Sequence, residues 1–370
     1  MYLKHISVTN FKNLTQVDAY FSPVLNCFVG DNGEGKTNLL DTIYYLSMCK
    51  SYFLTSDIQN IRNTEPFFLL KGDYNRNDVD EQISCGMKRT GGKSFKRNGK
   101  EYNRLSEHIG FIPLVMITPS DTSLINDRGE ERRKYINTVI SQIDKEYLDS
   151  LMRYNHALQQ RNKLLKNKDA DYELISVLNM QLAEYGRIIY NKRAELVEHL
   201  TPVFQQIYDA VSRSKEKVLL AYKSDMEYGD LKMLLEHNYD KDRLLQYTSV
   251  GIHRDDLDMQ LDGRPIRKTG SQGQQKTYLV ALKIAQFHII KQNMGIAPIL
   301  LLDDIFDKLD PGRVEMLIKL VVGNGFGQIF LTDSNKQRLD HLLERIVGDY
   351  YLFTVKNGEI TALNSSHATQ

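Results

Sequence analysis

Apolar and polar positions change period twice along this chain, and the changes mark three stretches. In the first, residues 2–125, the period is two or absent. Ile6 and Val8 alternate with polar neighbours, and Leu25 to Val29 is an unbroken apolar run that predicts a buried strand. Phe67 to Leu70 and Gln82 to Met87 read as further strands. Ser94 to Tyr102 contains Asn98-Gly99, the pair favoured in a two-residue hairpin because both central residues take positive φ. Phe111 to Ile117 is another apolar run. One helix interrupts this β-rich part: Leu39, Leu40, Ile43, Tyr44 and Leu46 recur at helical spacing.

The pattern changes near Asp127. From Glu130 to Val211 glycine and proline almost vanish, leaving Gly186 and Pro202. Tyr147, Leu151, Tyr154, Leu158 and Leu165 step by heptads, with Arg161 at one seam position. After a polar turn at Lys166 to Asp171, Ile175, Leu178, Leu182, Tyr185, Ile189, Lys192 and Leu196 form a second series. The two series fit an antiparallel helical hairpin that projects as an arm. They fit equally an ordinary helical domain with the same stripes. Lys217 to Tyr222 reads as a strand and Tyr228 to Leu245 as mixed. From Gly251 an α/β pattern resumes, with a helix at Thr277–Ile290, a buried strand at Ile299–Leu302, a helix at Arg313–Val322 and a strand at Gln328–Thr332. The expected organisation is residues 1–127 and 246–370 as two parts of one α/β unit, with 128–245 as a helical insertion.

Composition narrows the class without choosing it. The 370 residues are 41% hydrophobic and 26% charged, ordinary values for a soluble globular protein. Net charge is +1, so any nucleic-acid contact must come from local patches. The three cysteines form no metal-binding spacing and read as buried thiols of a reducing compartment. No apolar run reaches the length of a membrane span and no signal-peptide core follows Met1, so the expectation is a cytoplasmic protein with no membrane partner.

Chemistry enters at the end of the first buried strand. Gly30-Asp31-Asn32-Gly33-Glu34-Gly35-Lys36-Thr37 matches G-x-x-x-x-G-K-[ST] between a strand and a helix, the setting of a phosphate loop. Glycines let the backbone approach oxygens, and backbone N–H groups with the helix N-terminus face the phosphates. Lys36 would reach the β- and γ-phosphates and the Thr37 hydroxyl would ligate Mg²⁺. The plain alternative is a glycine-rich turn that matches by chance. Far downstream, Ile299-Leu300-Leu301-Leu302-Asp303-Asp304 is an apolar strand ending in two carboxylates, the Walker B form. Asp303 can hold Mg²⁺ and Asp304 is placed to polarise a water. Alone it is a strand-end turn, but a phosphate loop gives it a partner. Gly270-Ser271-Gln272-Gly273-Gln274 opens a helix, an N-cap that can also bind an anion.

With these in hand the chain resembles the RecF family of DNA-repair ATPases, relatives of the SMC proteins. The likeness lies in Gly30 to Leu40, in Gly251-Ile252-His253-Arg254-Asp255-Asp256-Leu257, in Ser271 to Thr277, in Leu302 to Asp310 and in Thr9-Asn10-Phe11-Lys12-Asn13. It implies an ABC/SMC-type P-loop ATPase head, a mixed β sheet plus an α/β core, with an inserted α-helical lobe. It implies ATP and Mg²⁺ as ligands, a homodimer formed on ATP, and binding to double-stranded and gapped DNA. RecR and RecO are the family's partners in loading recombinase at gaps and stalled forks. By resemblance Gly30, Asp31, Asn32, Gly33, Glu34, Gly35, Lys36 and Thr37 bind the triphosphate, and Thr37 and Asp303 hold the metal. Asp304 stands where most ABC proteins have a glutamate base, which implies slow, DNA-dependent turnover. Ser271, Gly273 and Gln274 would cap the γ-phosphate of the opposite subunit. Asp310 matches an acid at the dimer seam and Lys12 a basic residue near the nucleotide. The transporter switch histidine has no counterpart at Leu331-Thr332-Asp333-Ser334, where Thr332 or Asp333 could orient water. Thr118-Pro119-Ser120-Asp121 occupies the glutamine-loop position, with Ser120 where an acid is frequent.

Two further readings follow from residues alone. His253-Arg254-Asp255 lacks the companions of a kinase loop, and its alternative is a structural ion-pair network. Candidate DNA contacts are Lys88-Arg89 with Lys93, Lys96, Arg97 and Lys100; Arg132-Arg133-Lys134; Lys163 with Lys166 and Lys168; and Arg264 with Arg267-Lys268. Each is equally a solvated face. The rival functions are a long-armed SMC motor or transporter subunit, whose hundreds of heptad residues or membrane partner have no trace here, and a DNA clamp whose ATP is never cleaved.

Overall fold

In chain order the elements are β1 (Tyr2–Phe11), β2 (Leu14–Tyr20), β3 (Leu25–Val29), α1 (Lys36–Met48), β4 (Phe67–Arg76), β5 (Val79–Lys88), β6 (Gly92–Arg97), β7 (Lys100–Glu101), β8 (Leu114–Ile117), α2 (Ser123–Asn126), α3 (Gly129–Ile143), α4 (Lys145–Leu165), α5 (Tyr172–Ser212), β9 (Val218–Lys223), α6 (Leu231–His237), α7 (Tyr239–Leu245), β10 (Asp256–Leu261), β11 (Arg264–Pro265), α8 (Ile266–Thr269), α9 (Gln272–Met294), β12 (Ile299–Asp303), β13 (Ile329–Asp333), β14 (Tyr350–Lys356) and β15 (Glu359–Ser365). The computed structural model describes residues 1–127, 129–167, 171–212, 216–306, 312, 316, 325–337, 339 and 350–365. Asp310, Lys168 and nearly all of the helix expected at Arg313–Val322 lie outside the described residues. The chain divides into two units, Met1–Asp121 with Gln286–Gln370, and Thr122–Ala285.

The first unit holds two sheets. The apolar runs predicted as buried strands form one of them. β3, β8, β12 and β13 are buried at every residue, as parallel strands covered on both faces must be. The order is β15-β14-β3-β13-β12-β8, parallel throughout except at β15. The second sheet, β2-β1-β4-β5-β6-β7, is antiparallel, and Asn98 and Gly99 turn its last hairpin with φ of 50° and 80°. Leu39, Leu40, Ile43 and Leu46 of α1 are fully buried, each contributing about 1.5–3 kcal/mol of apolar burial. Phe28 stacks on Phe353 at 5.0 Å, and Phe21 meets Phe330 edge-on at 5.0 Å. The buried Gln328 amide accepts from Leu3 N at 2.7 Å and donates to Leu3 O and Ser22 O, each at 2.8 Å. One side chain thus fastens the first strand to the start of β13. Cys27, Cys49 and Cys85 are buried thiols.

The second unit is built on α4 and α5. Their contacts pair Asp144 with Lys192, Tyr147 with Arg193, Arg153 with Tyr185 and Arg161 with Asn179. From Tyr147 through Arg153 to Arg161 the partner's number falls from 193 to 185 to 179, so the helices are antiparallel. Tyr147, Tyr154, Arg161 and Leu165 are buried as the heptads predict. On α5 Ile175, Leu178, Leu182, Ile189 and Leu196 are buried as expected, while Gly186 and Arg193 are buried in place of Tyr185 and Lys192. A straight helix of 3.6 residues per turn drifts by about 20° per heptad from a 3.5 repeat, which moves the seam. α5 also continues through Pro202. Both helical readings contribute: the hairpin exists, and α6, with Leu231 and Leu235 fully buried, lies along α5. β10 pairs with β9 from Asp256↔Lys223 to Leu261↔Val218. That pairing brings residues 246–285 into this unit by contact, a link that helical periodicity does not reveal.

Two buried polar networks fix this unit. Arg161 donates to Asn179 Oδ1 at 2.7 Å, and to Asp242 Oδ2 and Thr248 Oγ1 at 2.8 Å each. Neither Arg161 nor Asp242 has any exposed side-chain surface. Around His253-Arg254-Asp255 the ion-pair alternative is what the structure contains. Arg193 pairs with Asp255 at 2.8 Å, Arg132 pairs with Asp256 at 2.6 Å, and Arg133 donates to Asp255 O at 2.7 Å. His253 Nε2 meets Thr248 O at 3.0 Å, which only a donor can satisfy, so Nδ1 accepts from Tyr154 Oη at 2.9 Å. Burial holds this neutral imidazole down at about 4.

Arg161→Ala strands a buried carboxylate and should cost about 3–5 kcal/mol in urea unfolding. Below the ordinary histidine value of 6.5, unfolded chains take up a proton at His253 that folded chains refuse until about 4. Stability at this site therefore falls as pH drops through that window. His253→Asn should flatten that part of the profile of unfolding midpoints between pH 7 and 4.

Candidate nucleotide-binding site

The ends of the parallel strands converge at one edge. Register sets Asp333 beside Val29 and Asp303 beside Thr332. In open α/β sheets ligands bind at these carboxyl ends. Between Val29 and Lys36 the chain turns through Gly33 at φ 88° and Gly35 at φ 115°, where a side chain is strained. Lys36 is buried, and Nζ donates to Gly30 O at 2.7 Å and Asp31 O at 2.9 Å. The ammonium thus closes the loop on its own carbonyls. Asp31, Asn32 and Gly33 are exposed.

Thr37 Oγ1 donates to Asp303 Oδ1 and Oδ2 at 2.9 Å, across 266 positions of chain. Thr332 Oγ1 donates to Asp303 Oδ1 at 2.8 Å and accepts from Asp304 N at 3.0 Å. Burial pushes the Asp303 carboxyl above the ordinary range, and the Thr332 and Thr37 hydroxyls oppose the shift. A hydroxyl and a carboxylate side by side are hard oxygen donors that suit Mg²⁺. Among the described residues no group of three or more His, Cys, Asp or Glu could hold an ion alone. A cation here would take its remaining oxygens from phosphate and water. Asp304 follows with φ 44°, a backbone bend that turns the chain off the strand.

The structure adds two supports that the sequence reading missed. Asn13 Nδ2 donates to Gly33 O at 3.2 Å, and Asn38 Nδ2 donates to Asn13 Oδ1 at 2.7 Å. On the other side, the β14–β15 turn grips Glu34: Gly358 N donates to Glu34 O at 2.8 Å and Asn357 N donates to the Glu34 carboxylate. A Cβ on Gly30 would collide with the Val355 carbonyl. The Asn357-Gly358 dipeptide was the available signal, a turn that needs positive φ. Lys12 has its ammonium on the fully buried Asp41 at 2.6 Å. Asp41 also accepts from Ser51 Oγ at 2.6 Å and Tyr52 N at 2.7 Å. Asp121 accepts from Thr118 N at 2.8 Å and from the Tyr52 hydroxyl, whereas Ser120 is exposed. Thr332 and Asp333 are both fully buried, and Asp333 accepts from Asn335 N at 2.7 Å.

Ser271, Gly273 and Gln274 belong to the second unit. Ser271 Oγ accepts from Gln274 N at 3.2 Å, while Gln274 Oε1 accepts from Ser271 N at 2.7 Å. This is a reciprocal cap at the start of α9, with Ser271 exposed. Of the basic clusters, Arg132, Arg133 and Lys134 are all bonded internally. Arg97 forks onto Glu81, and Lys93 pairs with Asp57 at 3.0 Å. Among the described residues Arg264, Arg267 and Lys268 are exposed and have no ion-pair partner. No helix among the described residues is long and apolar enough to cross a membrane.

A glycine loop closed by its own lysine, a helix behind it, and a second strand delivering a carboxylate to the loop's threonine define a P-loop nucleotide-binding core, here with its two halves 266 residues apart as in the heads of ABC and SMC proteins. The family model for the RecF/RecN/SMC N terminal domain matches residues 2–357. The DNA replication and repair protein RecF of Phocaeicola vulgatus is 51% identical over 364 residues, 98% of each chain. That of Parabacteroides distasonis is 52% identical over 360 residues, 97% of this chain and 99% of the relative. The chain belongs to the RecF family. A solved structure described as the recombination mediator protein RecF-ATPrS in the RecFOR pathway superposes with a TM-score of 0.88 at 31% identity, over 98% of each chain. An SMC head bound to the C-winged helix domain of ScpA, with a TM-score of 0.60 at 15% identity over 99% of this chain and 98% of that one, shares the fold.

Gly30→Ala should lower nucleotide affinity at least tenfold, because the loop must move off Val355 to admit the methyl group. Titration with a fluorescent ATP analogue, beside circular dichroism that shows an intact fold, checks this.

Proposed function

We propose that this protein is an ATP-driven DNA-binding switch of recombinational repair and replication restart, working in the cytoplasm. The observation that carries it is the Thr37–Asp303 contact, which joins the two halves of a nucleotide site from distant parts of the chain. Residues 30–37 cradle the triphosphate, with Lys36 leaving the loop carbonyls for the β- and γ-phosphates. Thr37 and Asp303 would hold Mg²⁺, which when bound neutralises phosphate charge. Lys12 lies near the nucleotide. Ser271 and Gly273 of a second copy close the cage when a γ-phosphate is there, so ATP favours the homodimer by differential affinity. Gln274 can join them only by giving up its present bonds.

Asp304 orients a water and takes its proton as the water oxygen bonds to the γ-phosphorus; the bond from the γ-phosphorus to the bridging oxygen breaks, and ADP and orthophosphate leave. An aspartate is shorter than the usual glutamate, so turnover is slow, and DNA stimulates it. The dimer holds double-stranded DNA, at gaps among other places, by backbone contacts that weaken with salt. Arg264, Arg267 and Lys268, with the equally exposed Lys88, Lys100, Lys163 and Lys166, are cations available for that. The names of the RecF relatives support the repair role, and the pathway named for the solved RecF supports RecO and RecR as partners in loading recombinase.

Ser271→Arg should abolish ATP-dependent dimerisation and DNA binding; a variant that still dimerises on ATP refutes the shared cage. Asp304→Asn should stop phosphate release and keep DNA binding. A wild-type chain that releases no phosphate instead supports the clamp with structural ATP.

A further inference from the structure

Gln274 is already engaged on its second side. Its Nε2 donates to Glu216 Oε1 at 2.6 Å, while its Oε1 holds Ser271 N. Glu216 lies between α5 and β9, and its other oxygen, Oε2, accepts from the Tyr208 hydroxyl of α5 at 2.8 Å. Tyr208 is fully buried beside Phe204, whose ring meets Tyr278 of α9 edge-on at 4.7 Å. The backbone of Glu216 is held too. Gln205 Nε2 donates to Glu216 O at 3.1 Å and Gln205 Oε1 accepts from Val218 N at 2.8 Å. All of these residues lie in one unit. A continuous polar chain therefore runs from α5 through one carboxylate to the amide that fixes the exposed Ser271 turn.

We propose that Glu216 is a positioning residue: it ties the long helix α5 to the Ser271 turn through Gln274 and sets that turn for closure on a second subunit. The inference rests on the ATP-driven dimer described above. Its physical content is that both acceptor atoms belong to one ionised group, which makes charge-assisted bonds to two elements at once. A displacement of α5 is then felt at Ser271 without passing through the phosphate loop. Gln274 acts as a strut in this arrangement, and its amide is unavailable to phosphate while the strut is intact.

The test compares Glu216→Ala, Glu216→Gln and Tyr208→Phe in the full chain. Two quantities are read: the protein concentration needed for dimerisation with ATP and Mg²⁺, by light scattering, and the affinity of the monomer for a fluorescent ATP analogue. Glu216→Ala should raise the dimerisation concentration about tenfold and leave monomer affinity unchanged. Glu216→Gln keeps an acceptor for Gln274 and a donor that the Tyr208 hydroxyl can accept, so it should stay within about threefold of wild type. Tyr208→Phe, which removes the hydroxyl's bond to the Glu216 carboxylate and keeps the ring, should fall between them. A Glu216→Ala chain that dimerises like wild type overturns the inference, as does one whose monomer loses nucleotide affinity in parallel. Should Glu216→Ala not fold, a wild-type dimerisation curve for Tyr208→Phe overturns it. A wild-type chain that stays single with ATP sinks the dimer itself, whereas a dimerising wild type with indifferent variants sinks this inference alone.

Discussion

The Thr37 hydroxyl and the Asp303 carboxylate are 266 residues apart in the chain and 2.9 Å apart in space. That hydrogen bond is possible because β3 and β12 flank the same strand, β13, in parallel, so that all three end at one edge. Parallel neighbours cannot be joined by a tight turn. The return path of the chain must be long, and here it contains the whole second unit. The helical insertion is thus compatible with the head because the connection it occupies had to exist. Burial raises the proton affinity of Asp303, and two threonine hydroxyls offset this by bonding its oxygens.

Preorganisation explains the supports around the loop. Backbone N–H groups bind phosphate well only if their directions are fixed before the ligand arrives. Asn13 holds one carbonyl of the loop and Gly358 another. With these carbonyls anchored, and those of Gly30 and Asp31 held by Lys36, the loop has little freedom to turn its N–H groups elsewhere. The glycines that permit close approach would otherwise leave this segment with more conformational freedom than any other residue type.

Much of this was legible in the sequence, and the reason is locality. Leu25–Val29, the glycine spacing that follows, the Ser271 cap and Ile299–Asp303 each carry their signal within a dozen residues. What escaped depends on partners far away. Glu34 and Asn357 are 323 positions apart, and neither marks the other. Nothing around Lys12 announces the fully buried Asp41 that holds its ammonium at 2.6 Å. Arg132-Arg133-Lys134 reads as a basic patch although Asp256 and Glu131 pair with Arg132 and Lys134 and Arg133 bonds a backbone carbonyl. The heptads located the α4–α5 seam and missed by one residue at Tyr185 and Lys192 alone, where the true helical period departs from seven-residue steps. The grouping of 246–285 with the helices depends on the β9–β10 ladder, which no periodicity announces.

The clasp formed by the β14–β15 turn has a consequence for how the protein is made. The glycine loop leaves the ribosome first, and Asn357 follows Glu34 only 323 residues later. At about 5–20 residues per second, synthesis separates them by roughly 15–65 seconds. For that interval the nascent loop has its Asn13 side and lacks the other. A chain cut short before Gly358 would carry every signature residue and still present a half-supported cradle, so the loop's rigidity is settled by residues made long after it.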